Sequence, residues 1–343
     1  MIGTPPSFAG TPDRARGDYD VLAEMLRAVR LTGSVFLNAS FSAPFGVHSP
    51  KRYDERTPMA HLRHISVFHL IAAGGCTIEI ATGEQKTVSA GDILLLPFAD
   101  AHKFWNGDFV DMAFAPDLMR PGPFQGMWTV NYGGGGETTR MVCGYIESSE
   151  FLFGPVFRSL PPLLVERTGD DRVGALLTST VKEILILADA AAPGTELMLG
   201  RLMELLFIEV VRRYAAQLPA SAKGWFAALN DPIVGRALQC VHGDPARRWT
   251  VDELARAAGA SRTVLADRFH AVMGRAPIEY VTGWRMQLAA DKIRNSENSL
   301  AAIAADVGYE SEAAFNRAFK RVTGVTPGRW RDSVMRPHHT NPI

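Results

Sequence analysis

Two stretches of the chain carry the same pattern of apolar residues and glycines, and this internal repeat constrains the fold more than any other feature. In "TVDELARAAGASRTVLADRFHAVMGRAPIEY", Val251, Leu254, Ala255 and Gly259 stand at offsets 0, 3, 4 and 8. In "SLAAIAADVGYESEAAFNRAF", Leu300, Ile303, Ala304 and Gly308 stand at the same offsets. Downstream, Leu265, Phe269, Val272, Gly274, Pro277 and Tyr280 match Phe315, Phe319, Val322, Gly324, Pro327 and Trp330 in spacing, with one extra residue in the second turn.

Each copy reads as two helices joined by a sharp turn. The first helix would bury the stripe at i, i+3 and i+4. Gly259 or Gly308 would end it, because a tight turn favours a residue free to take positive φ. Ser261 or Ser311 then stands where an N-cap belongs. The second helix would bury Leu265 and Phe269, or Phe315 and Phe319, at i and i+4. The Gly and Pro that follow would stop it. The pattern therefore predicts helix-turn-helix units over 251–272 and 300–322, whose second helices can enter a DNA major groove. "PIEYVTGWRMQLAADKI" reads as one helix holding the copies apart, and Asp231-Pro232 as the N-cap and N1 that open this half.

An ordinary helical bundle with a merely solvated polar face is the alternative, and charge helps to decide. The net charge is zero, but residues 231–343 hold 16 Lys+Arg against 12 Asp+Glu, while residues 1–230 hold 20 against 24. A basic half carrying two such units fits a polyanionic partner.

On these residues, the stretch 232–333 resembles the DNA-binding domain of the AraC/XylS family of bacterial transcription regulators. "SLAAIAADVGYESEAAFNRAFKRVTGVTPGRWR" is similar to that family's signature along its full length. The resemblance implies that both second helices enter successive major grooves on one face of the duplex. Carried over residue by residue, it assigns DNA reading to Arg262, Thr263, Ala266 and Asp267 in the first unit. In the second it assigns Glu312, Ala313, Asn316 and Arg317, with Lys320 on the same polar face. Asp267 departs from relatives that place a donor there; a carboxylate accepts from cytosine N4 but is repelled by phosphates. The implied partners are double-stranded promoter DNA, RNA polymerase and a small-molecule effector.

The acidic half follows another rhythm. Residues 63–110 alternate short apolar runs with turn signals, which argues for a β-sandwich or barrel. In "GDILLLPFADAHKFWN", Gly91, Pro97, His102 and Asn106 are similar to the second motif of the cupin family of small β-barrels, with Ala99 where that motif usually has Gly. The resemblance covers roughly residues 30–145. In metal-binding cupins the first motif brings two histidines and a glutamate to the barrel interior, and the second adds a histidine. This chain offers Leu62, His64 and His69 at the first three positions and His102 at the last. Three neutral imidazoles can hold a divalent metal with an open position. Against this, period two places His64 and His69 on opposite strand faces unless a bulge intervenes. Structural histidines are the plainer reading.

Cys76 and Cys143 read either as small buried hydrophobes or as a thiol pair, brought together by the barrel, that senses oxidants. With Cys240 they are odd in number and scattered, so no disulfide framework is expected, as suits a reducing cytoplasm. "YGGGGETTR" (132–140) lacks the Lys-Ser/Thr and the helix that a phosphate loop needs. The opening residues 1–18 lack a basic segment followed by an apolar run and read as a disordered leader, not a signal peptide. No apolar stretch reaches the roughly 18 residues that span a membrane.

Between the halves, "VGALLTSTVKEILILADA" and "TELMLGRLMELLFIEVVRRYAAQ" have helical spacing. The second is apolar on more than one face, so it either covers the barrel or packs on a second subunit as a homodimer. The expected organisation is α+β multidomain. A leader (1–18) precedes a cupin-like barrel with accessory helices (19–150), a helical or dimerisation segment (151–218), a linker (219–231) and an all-α domain with two helix-turn-helix units (232–333). No catalytic residue is assigned. A metal-dependent cupin enzyme with an accessory DNA-binding domain is the rival, weakened by the incomplete first motif and the lack of a placed general base. An architectural DNA-binding protein with a signal-blind barrel is a third reading.

Overall fold

The structure, a computed structural model, describes residues 20–28, 31–51, 62, 64–108, 111–124, 126–148, 157–169, 174–190 and 192–335. The expected leader lies outside them. A helix α1 (Val21–Ala28) leads into β1 (Thr32–Ser42), β2 (Phe45–Ser49), β3 (Ile65–Ala73), β4 (Gly75–Ile80), β5 (Gln85–Ser89), β6 (Asp92–Leu96), β7 (His102–Asn106) and β8 (Ala113–Phe114). A short α2 (Ala115–Leu118) precedes β9 (Arg120–Pro121), β10 (Trp128–Gly133), β11 (Thr138–Glu147) and β12 (Leu164–Arg167). Helices follow: α3 (Gly174–Ala188), α4 (Thr195–Gln217), α5 (Trp225–Asn230) and α6 (Val234–Gly243). The repeat then supplies α7 (Val251–Ala257), α8 (Arg262–Met273), α9 (Pro277–Asn295), α10 (Leu300–Asp306), α11 (Glu312–Thr323) and α12 (Pro327–Met335).

The strands form a seven-stranded sheet, ordered β12-β6-β3-β11-β1-β10-β9, and a five-stranded sheet, ordered β5-β4-β7-β2-β8. One core lies between them, built from Phe41, Phe45, Val67, Ile78, Leu94, Phe104 and Met141 among others. The larger sheet is covered on both faces. Along β3, Val67 and Ile71 face this inner core, while Phe68 and Leu70 join a second core beneath α3 and α4. Strand β6 does the same, with Leu94 and Leu96 inward and Ile93 and Leu95 outward. Two-sided burial is why "DILLL" is an unbroken apolar run and not an alternating one.

Helix α4 sits on the larger sheet at very close range. A Cβ added to Gly200 would lie 2.6 Å from the carbonyl oxygen of Gly33, and one added to Gly33 would lie 2.3 Å from that of Gly200. Only paired glycines let helix and strand backbones meet this closely. The outer core then continues from α4 without a break through α5, α6, α7, α8 and the start of α9, as far as Trp284. A third core, holding Ile293, Ile303, Phe315 and Phe319, belongs to the end of α9 with α10 and α11. The first helix-turn-helix unit therefore shares its core with the barrel's helices, and the second has its own.

Three features differ from the sequence reading. The stretch 151–218 is not wholly helical: β12 pairs antiparallel with β6, Leu164 opposite Leu95. The stretch 219–231 is not a bare linker, since it contains α5. Trp225 and Phe226 of α5 are buried, and Trp225 Nε1 donates to the Tyr280 hydroxyl of α9 at 2.9 Å. Six residues are too few to show a helical period. Pro327 does more than stop the preceding helix: like Pro277, it begins one, the α12 that the sequence reading did not include. The two open α9 and α12 as first-turn prolines, whose missing N–H costs nothing there.

Candidate nucleic-acid interface

Local chemistry fixes the ends of every helix in the repeat. Thr250 caps α7 in a reciprocal box with Glu253. Ser261, Ser299 and Ser311 accept from the backbone N–H groups of Val264, Ala302 and Ala314. Gly274 and Gly324 end α8 and α11 in the left-handed region, with φ +67° and +82°. Each second helix is thus a rigid rod of twelve residues with defined ends.

Burial divides each rod into two faces. On α8, Leu265, Phe269 and Val272 are buried. Arg262, Thr263 and Asp267 are exposed and Ala266 is half-buried. On α11, Phe315, Ala318 and Phe319 are buried, with Phe315 and Phe319 at 0% exposure. Glu312, Ala313, Arg317 and Lys320 are exposed and Asn316 is half-buried. Seven of the nine expected reading residues are thus exposed, while Ala266 and Asn316 sit at the edge of the buried stripe with the Asn316 Oδ1 itself buried, and the two faces are chemically unequal. The Arg262 guanidinium is engaged by Asp252 of α7 at 3.1 Å, and Asp267 adds a negative charge to the same unit. In the second unit Arg317 and Lys320 stand outward together, followed by Arg321.

Sequence reasoning missed Val264, 47% exposed between Thr263 and the buried Leu265. A valine there contributes nothing to the core, and an outward methyl can contact the thymine methyl group in a major groove. Its signal was an apolar residue out of step with the buried stripe. Val322 also differs from its counterpart Val272, at 40% exposure against 7%. The first unit is backed by α5, where the Gly224 N–H donates to the Val272 carbonyl.

Inside the barrel, His69 and His102 meet and His64 does not join them. His102 Nδ1 lies 2.9 Å from the Asp100 carbonyl, His69 Nε2 lies 3.0 Å from His102 Nε2, and His69 Nδ1 lies 2.8 Å from Cys143 Sγ. Burial holds both imidazoles below their ordinary pKa, His102 at about 4, so both are neutral. That fixes every proton. A carbonyl only accepts, so His102 Nδ1 carries the hydrogen and His102 Nε2 accepts from His69 Nε2–H. His69 Nδ1 must then accept from the Cys143 thiol.

This chain of donors does not fit the expected metal site. Both ring lone pairs are in use, and His69 offers its two nitrogens to opposite neighbours. His64 precedes β3, five residues from His69, or ~16 Å along an extended strand. Among the described residues no three His, Cys, Asp or Glu side chains are grouped to hold a metal ion. Of the set His64, His69 and His102, the structure brings His69 and His102 into contact. Cys76 and Cys143 share the inner core from opposite sheets, and both are free thiols. Burial pushes the Cys76 thiol up to about 12 and raises Cys143 as well, so neither is a thiolate at neutral pH. The second-motif turn keeps its shape despite the alanine: Ala99 has φ +47°, and Asn106 donates to the Gly75 carbonyl at 2.9 Å.

Comparison with known proteins matches this two-part architecture. Residues 20–216 match a family described as cupin, and residues 254–333 one described as helix-turn-helix domain. The chain is 45% identical over 144 residues to an AraC-like transcription regulator of Streptomyces lividans, covering 42% of this chain and 47% of that protein. It thus spans about half the length of that relative. It is 29% identical over 279 residues to the HTH-type transcriptional regulator AlkR of Acinetobacter baylyi, covering 77% of this chain and 87% of AlkR. It is 28% identical over 271 residues to the RCS-specific HTH-type transcriptional activator RclR of Escherichia coli, covering 78% of this chain and 84% of RclR. No helix among the described residues is long and apolar enough to cross a membrane.

Proposed function

The chain belongs to the cupin family, with an AraC-type helix-turn-helix domain behind the barrel, and from that premise we propose that it is a transcription regulator that binds promoter DNA sequence-specifically. The observation that carries the reading is the pair of capped helices α8 and α11, each anchored by a buried apolar stripe and each leaving a polar face in solvent. The reader residues are Arg262, Thr263, Ala266 and Asp267 on α8, and Glu312, Ala313, Asn316, Arg317 and Lys320 on α11. Arginine pairs with guanine and asparagine with adenine through two hydrogen bonds each, so α11 carries the stronger reading. On α8 the carboxylate of Asp267 rejects phosphate and discriminates more than it binds.

The barrel is the sensing half in this reading, and a small-molecule signal acts by favouring one arrangement of barrel and DNA-binding units over another. RNA polymerase is the downstream partner, and the cytoplasm, where the DNA lies, is the compartment. Leu197, Met198 and Leu205 of α4, at 67%, 54% and 37% exposure, support a second copy of this chain as the partner of that helix.

The test is to recover the genomic fragments that the purified full chain retains and to measure binding to the best of them. Affinity should fall linearly in log–log form with salt, because Lys and Arg displace counterions condensed on the phosphates. Folded protein that binds its best fragment no better than random DNA would overturn the reading. Asp267→Asn should raise affinity for most sequences and flatten discrimination in the segment contacted by α8. If it weakens every sequence alike, the carboxylate does not face the duplex.

A further inference from the structure

Two helix-turn-helix units can read one face of a duplex only if their rotation is fixed as well as their separation, about 34 Å for one helical turn. The helix α9 supplies the separation. It also seats both cores, Tyr280, Val281 and Trp284 in the first and Met286, Ala289, Ala290 and Ile293 in the second, with the partly buried Leu288 packed against both. A helix alone can bend and twist, so contacts made off its axis set how firmly the rotation is held.

Those contacts gather at one side chain. Arg285, half-buried on α9, donates from Nε to the Pro245 carbonyl at 2.7 Å. Its Nη2 donates to the carbonyls of Arg247 at 2.7 Å and Ala246 at 3.2 Å, and its Nη1 to that of Gly308 at 3.3 Å. The first three carbonyls belong to the loop before α7, and the last to the turn between α10 and α11. The guanidinium also lies over the Tyr309 ring, 5.7 Å from its centroid.

Loop and turn meet backbone to backbone beside it. Gly308 has φ +81°, and a Cβ there would stand 2.3 Å from the Ala246 carbonyl oxygen. On the outside, Arg248 of the loop pairs with Glu310 of the turn. The loop is itself stiff: Trp249 Nε1 donates to the Asp244 carbonyl at 2.9 Å, and the Arg247 guanidinium stacks 4.3 Å over the Trp249 ring.

We propose that Arg285 is a positioning residue for DNA recognition, fixing the rotation between the two helix-turn-helix units by gripping the loop of one and the turn of the other. The proposal rests on the DNA-binding reading above. Lysine cannot substitute: its donors radiate from one nitrogen, whereas the guanidinium fork reaches separate carbonyls from three.

The test begins by selecting duplexes from a random-sequence pool with the wild-type full chain. Failure to enrich any sequence sinks the DNA-binding reading and the proposal with it. The selected duplex is then bound at native spacing, with one base pair inserted between the two contacted segments, and with either segment scrambled. Arg285→Lys should lose about tenfold on the intact duplex, since loosely linked units lose effective concentration for each other. It should lose nothing on the scrambled duplexes, and its penalty for the inserted base pair should shrink. Arg248→Ala removes only the outer ion pair and should shrink that penalty in the same direction, so it decides the matter if Arg285→Lys does not fold. If both variants keep the wild-type spacing penalty, or lose the same factor on every duplex, Arg285 only supports the fold. The proposal is then wrong while the DNA-binding reading stands.

Discussion

Ala99 shows what a single backbone dihedral costs. Its φ of +47° puts a side chain where glycine is at home, in a turn that the barrel needs to bring His102 inward. A left-handed residue with a Cβ costs roughly 1–2 kcal/mol. Ala99→Gly should therefore stabilise the chain by about 1 kcal/mol, a little of the gain returning to unfolded-state entropy. Urea unfolding measures it, and a less stable glycine variant would mean that the buried methyl group matters more than the strain. His242 carries a different liability. It stacks on Trp284 at 4.1 Å, contacts the Tyr280 hydroxyl at 2.7 Å, and is held neutral by burial, its pKa lowered to about 3. The unfolded chain takes up that proton near pH 6.5 and the folded chain does not. Stability is thus full above pH 6.5 and drains away as pH falls toward 3, by about 2 kcal/mol at pH 5. Between pH 8 and pH 5 the gap in stability between wild type and His242→Phe should narrow by that amount. A gap independent of pH would show that His242 is solvated.

At the scale of elements, the repeat was legible because caps, turns and stripes are local chemistry. Ser261, Ser311, Gly274 and Gly324 each act within one helical turn of themselves, so their spacing alone placed α8 and α11. Helix α5 was not legible, because WFAALN has no period to read and its burial comes from other helices, Tyr214 of α4 against Phe226 and Tyr280 of α9 against Trp225. The histidines were no more legible. The alternation rule applies within a strand and His64 lies before β3, while nothing local said that His69 would stand directly opposite Cys143 on the neighbouring strand β11. The unequal faces of α11 give the sharpest test. Phe319→Ala should cost about 3–5 kcal/mol and unfold the second unit. Arg317→Ala should leave the melting temperature unchanged and cost about 1–3 kcal/mol of specific binding. An Arg317→Ala protein that melts early, or binds normally, would put that side chain on the wrong face.

Across the whole molecule, the core that joins the barrel to the first helix-turn-helix unit runs through the seat of α4. Replacing a helical glycine by alanine ordinarily adds about 1 kcal/mol of stability. At Gly200 the added methyl would collide with the Gly33 backbone, so Gly200→Ala should destabilise the protein by about 1–3 kcal/mol despite that gain. Thermal melting decides it, and a stabilised variant would mean that α4 stands further from β1. None of this contact could be read from the sequence. Gly200 lies inside a stretch of helical spacing, and nothing near it or near Gly33 names the other as its partner until the fold brings them together.

The division of cores also bears on how the chain is made. Everything the first unit buries, from Val21 to Trp284, has been translated before the second copy of the repeat leaves the ribosome. The barrel, its helices and the first unit can therefore settle as one body during synthesis. The second unit, closing only on itself and the end of α9, is left to fold last. Until the second copy of the repeat emerges, the nascent chain presents the barrel and its helices joined to one helix-turn-helix unit of the two.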